Sequence, residues 1–176
     1  MDALQTKRLL LRPLGESHVQ SMHELCVHPD VRRYLFKDRL IPVAEVESMV
    51  ATSQSCFDQM GLGFFAVFVA EEGHPSEGLF VGFCGVRYFD EGPSIELLLG
   101  MNPTIWGSGF GQEAGRAVLE SGFGEHNLGQ IIAAAGTPNQ RSIRVLQKLG
   151  MSFRERRQWH RLDTMFYEIS SEDYHV

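Results

Sequence analysis

The stretch NPTIWGSGFGQEAGRAVLESGF, residues 102–123, places Gly107, Gly109 and Gly111 within five positions and then runs straight into a helical pattern. Glycine weakens a helix, so a cluster at the point of helix entry needs a reason. The first N–H groups of a helix lack partners, and its N-terminus carries partial positive charge. Glycines ahead of it let the loop fold tightly and bring those amides against a ligand with no Cβ between them. That is an anion site, suited to phosphate. The plainer alternative is a tight turn or close helix packing.

Two phosphate-binding patterns fail on the residues. A Walker A loop needs Lys after its second glycine, and no Lys lies between Gly100 and Gln147. A dinucleotide fingerprint needs a third glycine where this chain has Gln112.

The 176 residues, 43% hydrophobic and 22% charged, suit one soluble domain spanning the whole chain, 1–176. The longest apolar run, residues 64–70, is too short for a membrane span. The N-terminal MDALQTKRLLLR does not read as a signal peptide, so a cytoplasmic location is expected. Cys26, Cys56 and Cys84 show no CxxC or metal spacing and read as free buried thiols of a reducing compartment. His18, His23 and His28 stand five apart, a spacing that turns each about 140° from the last on a helix, so no metal is expected. A net charge of −6 argues against nucleic acid and is compatible with a cationic amine.

Along the chain, 6–14 reads as a strand, and Ser17 to Gln20 as a capping box opening a helix that Pro29 stops. A short helical turn at 30–36 and a longer helix from Val43 to Gly61 follow. Segments 63–71 and 79–90 read as a hairpin around EEGHPSEG, and Ile95–Met101 as a third central strand. A helix over 109–123, a strand at 131–135 and a helix at 139–149 closed by Gly150 come next. Strands 151–159 and 164–170, turning around 161–163, end the chain. The leading hairpins and the one strand–helix–strand unit predict an α+β fold: a mixed, largely antiparallel sheet with helices on both faces.

The segments IELLLGMNPTIWGSGFGQEA and, downstream, NQRSIRVLQKLGM resemble the GNAT superfamily of acyl-CoA-dependent N-acetyltransferases. The opening LQTKRLLLRPLGESHVQSMHELCVHPDVRRYL resembles its RimJ/RimL branch, and the likeness covers nearly the whole chain. It implies the acyl-CoA N-acyltransferase fold, with acetyl-CoA in a gap where the fourth strand and the following helix splay apart. Backbone groups of Leu99, Gly100 and Met101 would pair with the pantetheine. Trp106, Gly107, Ser108, Gly109, Phe110, Gly111 and Gln112 would cradle the pyrophosphate. Trp106 replaces the superfamily's usual Gln or Arg, as the branch allows.

The implied reaction is direct attack of a primary amine, on a small molecule or a protein N-terminus, on the acetyl thioester. Glu96, the lone charge of its strand, is the candidate base; the alternative is a salt-bridged structural carboxylate. Tyr88, Asp90 and His160 are weaker candidates at the rim. Many family members carry a Tyr acid where this chain has Leu146. Asn139 and Ser142, from NQRS, are the remaining candidates near the CoA sulfur; a helix cap and an ordinary surface serine are the alternatives. The missing Tyr also leaves room for a catalytically silent acyl-CoA-binding module. The acceptor pocket is expected from residues 30–62 and 159–164, in a monomer or homodimer.

Overall fold

The computed structural model describes residues 2–70, 78–90 and 92–174. Eight strands form one sheet: β1 (Leu4–Gln5), β2 (Leu9–Pro13), β3 (Phe64–Val69), β4 (Phe80–Tyr88), β5 (Ile95–Met101), β6 (Gln130–Gly136), β7 (Ser152–Trp159) and β8 (Leu162–Ser170). Their order is β1-β2-β3-β4-β5-β6-β8-β7. Among the described residues only β5 and β6 run parallel.

Strand alternation explains the two cores. In FFAVFV, Phe64, Ala66 and Phe68 face one side and Phe65 and Val67 the other. The first side packs on α1 (Val19–Val27), α2 (Pro29–Leu35) and α3 (Val43–Met60). The second packs on α4 (Phe110–Gly124) and α5 (Gln140–Lys148). Helices therefore cover both faces, as the sequence predicts. None of them is long and apolar enough to cross a membrane among the described residues.

Several boundaries move for identifiable reasons. The strand expected over 6–14 is a small hairpin, because Thr6 Oγ1 accepts the Leu9 amide (2.9 Å) and turns the chain. The expected Ser17 capping box is displaced: Gly15 is the cap residue of a short turn, Glu16–His18, and its amide donates to His18 Nδ1 at 3.0 Å. Pro29 ends α1 as expected, since His28 before it leaves the helical region (ψ 130°), and it also opens α2, whose cap is the His28 side chain. The last hairpin turns at His160 and Arg161 (φ 48° and 67°), with Trp159 opposite Leu162, one residue before the expected turn. The EEGHPSEG turn lies, except for Gly78, outside the described residues.

Candidate active site

The site begins where the sheet opens. Strands β4 and β5 match at seven positions, whereas β5 and β6 match at one, Glu96 opposite Ile132. Beyond that pair their C-terminal halves part. Antiparallel ladders alternate the direction of backbone groups, and the Asn102 amide bonds Val81 O at 2.8 Å. The amide and carbonyl of Gly100 therefore point to β4, and those of Leu99 and Met101 point into the opening. Trp106 Nε1 occupies the Met101 carbonyl at 2.9 Å. Among the described residues this leaves the Leu99 amide and carbonyl and the Met101 amide facing the opening. Gly100 leaves the expected backbone set; its role is steric, since a Cβ would lie 2.5 Å from Phe83 Cε1 and 2.9 Å from Leu35 Cδ1.

Below Trp106 the chain turns into α4 through Gly107 and Gly109, both at φ 85°, where a side chain is strained. Gly109 is the residue before the first helical turn. Among the described residues the amides of Gly107, Gly109, Gly111 and Gln112 have no intramolecular acceptor, and that of Phe110 has only Ser108 Oγ at 3.4 Å. The glycines thus aim unpartnered amides outward at a helix N-terminus, an arrangement that fits a pyrophosphate.

A latch from the first hairpin holds this loop. Arg8 donates from Nη1 to Ser108 O (3.0 Å) and from Nε to Glu113 Oε2 (2.6 Å), and lies over the Phe110 ring at 4.6 Å. Thr6 Oγ1 donates to Glu113 Oε1 at 2.6 Å. Burial alone would raise the Glu113 carboxyl; the hydrogen bonds from Thr6 and Arg8 and the Arg8 charge together hold it below its ordinary value.

Helix α5 flanks the loop. Asn139 caps it, Oδ1 accepting the Ser142 amide at 3.2 Å, so the capping alternative holds for Asn139. Ser142 is half-buried, and its hydroxyl makes no bond among the described residues. Arg141 stacks over Trp106 at 4.6 Å, joining helix to loop. Leu146 is buried in the core, which accounts for an apolar residue there. Gln112 Nε2 donates to Lys148 O at 3.4 Å.

On the opposite face of the sheet lies a cavity of about 610 Å³ between α2, α3, the β5–β6 opening and the β8 tip. It draws its walls from both segments expected to form the acceptor pocket. Glu96 lines it at 2% exposure, with Arg87 Nε donating to Oε2 at 3.0 Å. Its other oxygen, Oε1, has no donor among the described residues. Burial raises the Glu96 carboxyl above its ordinary value, and Arg87 only partly offsets this. Tyr88, Asp90 and His160 stand outside the cavity; His160 and Asp90 approach each other at 3.9 Å, both half-exposed.

Arg8, Arg87 and Arg141 escape a reading of the sequence. TKRLLLR reads as strand, which hides the Arg8 turn. The Arg87–Glu96 pair becomes visible only with the β4–β5 register.

A mixed, mostly antiparallel eight-stranded sheet that opens between its two parallel strands, with helices on both faces, is the acyl-CoA N-acyltransferase fold. Residues 8–152 match the family model for the acetyltransferase (GNAT) domain. The chain belongs to the GNAT acetyltransferase family. It is 29% identical over 164 residues to YkkB of Bacillus subtilis, covering 90% of each chain. The crystal structure of a GNAT-family acetyltransferase from Bacillus anthracis superimposes with TM-score 0.77 at 24% identity, covering 97% of this chain and 99% of that one. RimL, a ribosomal L7/L12 alpha-N-protein acetyltransferase in complex with coenzyme A, gives TM-score 0.79 at 14% identity, covering 96% and 98%. At those identities the two structures bear on the fold alone.

Proposed function

We propose that this protein is an N-acetyltransferase of the RimJ/RimL-like branch that moves the acetyl group of acetyl-CoA to a primary amine by direct attack. The observation that carries the reading is one opening in the sheet with the amide cradle behind it and the Glu96 cavity in front. Leu99 and Met101 would bond the pantetheine and the acetyl carbonyl through their backbone. The amides of Gly107, Gly109, Gly111 and Gln112 would hold the pyrophosphate. Acetyl-CoA supplies an activated thioester; the chain supplies position, a base and hydrogen bonds.

Glu96 is the base. Its raised pKa brings it closer to that of a working general base, and Oε1 is open to the cavity, directly or through water. Arg87 orients it from the neighbouring strand. Cys26 and Cys84 do not suit a covalent acyl-cysteine route, since burial pushes their thiols up to about 12, leaving no useful thiolate at neutral pH. Free buried thiols also favour a cytoplasmic location.

Acetyl-CoA is expected to raise Tm by mass action, and a panel of amines to release free thiol. A Tm shift with no thiol release across that panel would favour the silent acyl-CoA-binding module, which Leu146 in place of Tyr makes the second reading. Leu146 does not by itself imply inactivity. A thiol of pKa about 8.5 leaves with little help, so most of the roughly 10²–10⁴-fold value of an acid is unnecessary. Ser142→Ala should therefore lose about 10²-fold or less in kcat, with slightly weaker acetyl-CoA binding, in kinetics from pH 6 to 9. A loss of several thousandfold with the fold intact would make the serine an indispensable acid.

A further inference from the structure

The charges around the acceptor cavity are not balanced in the way the whole chain suggests. Three carboxylates line it, Glu45, Glu96 and Asp163, and each already has an arginine. Arg39 bonds both Glu45 oxygens at 3.0 Å. Arg156 bonds both Asp163 oxygens at 2.9 and 2.6 Å, and Thr137 adds a third bond at 3.0 Å. Arg87 holds Glu96. The remaining charged wall residue is Arg33 of α2, an exposed side chain that has no carboxylate partner among the described residues and whose guanidinium carbon lies 5.6 Å from the centroid of the Tyr34 ring. With Arg87 engaged to Glu96 through Nε, the cavity presents one cation that has no carboxylate partner among the described residues, Arg33, and one acceptor oxygen without a donor among them, Glu96 Oε1.

Resting on the transferase reading, we propose that the acceptor is a small amine carrying its own anionic group, a carboxylate or phosphate, and that Arg33 selects it. The amine goes to Glu96 and the anion to Arg33. A polyamine would bring a second ammonium toward the arginine with no uncommitted carboxylate to receive it. Such like-charge placement disfavours the wrong partner as effectively as a contact favours the right one. A volume near 610 Å³ falls in the range of small-molecule sites, so the acceptor is compact. The whole-chain charge of −6, compatible with a cationic amine, does not set the charge of this cavity.

The test compares amines on short, medium and long alkyl chains, each bearing an ω-carboxylate, a methyl or an ammonium opposite the reacting amine. Phosphoethanolamine serves as the phosphate probe. The carboxylates should exceed the diamines in kcat/KM by about 10-fold or more at the best chain length, the worth of one charged hydrogen bond. Arg33→Glu should reverse that order and Arg33→Lys keep it, while the Tm shift with acetyl-CoA stays unchanged in both. Calorimetry of the same amines on CoA-saturated protein reads the preference without turnover. Absence of thiol release would therefore sink the transferase reading, while the binding order decides this one. A diamine preferred at every chain length, an order that Arg33→Glu leaves in place, no binding by the anionic amines, or a strict requirement for a peptide acceptor overturns the inference.

Discussion

Glu96→Gln lowers kcat at pH 7 by about 10²–10⁴-fold, the usual worth of a general base, and part of the loss returns at high pH. There a larger fraction of the amine is already neutral and needs no base. Glutamine keeps the shape of the side chain and an oxygen for Arg87, so the loss reads proton transfer rather than packing. The same variant has a thermodynamic signature. Burial raises the folded-state pKa of Glu96, so its contribution to stability is fully present below the unfolded carboxylate pKa and is lost as pH rises through the folded pKa. The stability of the parent relative to Glu96→Gln should therefore fall across that window. Denaturant titrations from pH 4 to 8 read it, and an unchanged rate at pH 7 would return Glu96 to a structural salt bridge.

Gly111→Val should abolish the Tm shift with acetyl-CoA while leaving the protein folded. Gly111 has an ordinary helical backbone, and a Cβ there would stand 3.6 Å from Leu99 Cδ1 and 3.7 Å from Met101 Cγ, a normal contact. The Cβ is accommodated there, and the γ-methyls of valine should fill the approach between the first turn of α4 and β5. Forfeiting one or two charged hydrogen bonds, each worth about 1.5–3 kcal/mol, weakens binding by about 10²-fold or more. Gly109→Val is less clean, because a β-branched residue at φ 85° carries about 1–3 kcal/mol of strain of its own. If Gly111→Val binds acetyl-CoA like the parent, the cradle is elsewhere.

Much of this site is legible in the sequence because its signals are local. Glycines before a helix announce unpartnered amides, and FFAVFV announces a strand buried on both faces. What escapes depends on register or on distance along the chain. Leu99, Gly100 and Met101 look equivalent until pairing with β4 turns the middle residue away. Glu96 stands out as a lone charge, but Arg87 is revealed only by a partner strand. The His160–Arg161 turn lacks the Asn or Gly that favours positive φ in two-residue hairpins, so the sequence points too far along. Arg33 is one arginine among many until every nearby carboxylate has been matched to another cation.

The Arg8–Glu113 latch has a consequence for how the molecule comes together. The Arg8 amide and the Glu113 carboxylate are 105 residues apart, and contacts that close such long loops form late and slow folding. The backbone hydrogen bonds that form α4 are local. The glycine loop before α4 should thus take its shape after its own helix, once the opening hairpin docks across the sheet. In refolding, recovery of acetyl-CoA binding should lag behind recovery of helical signal.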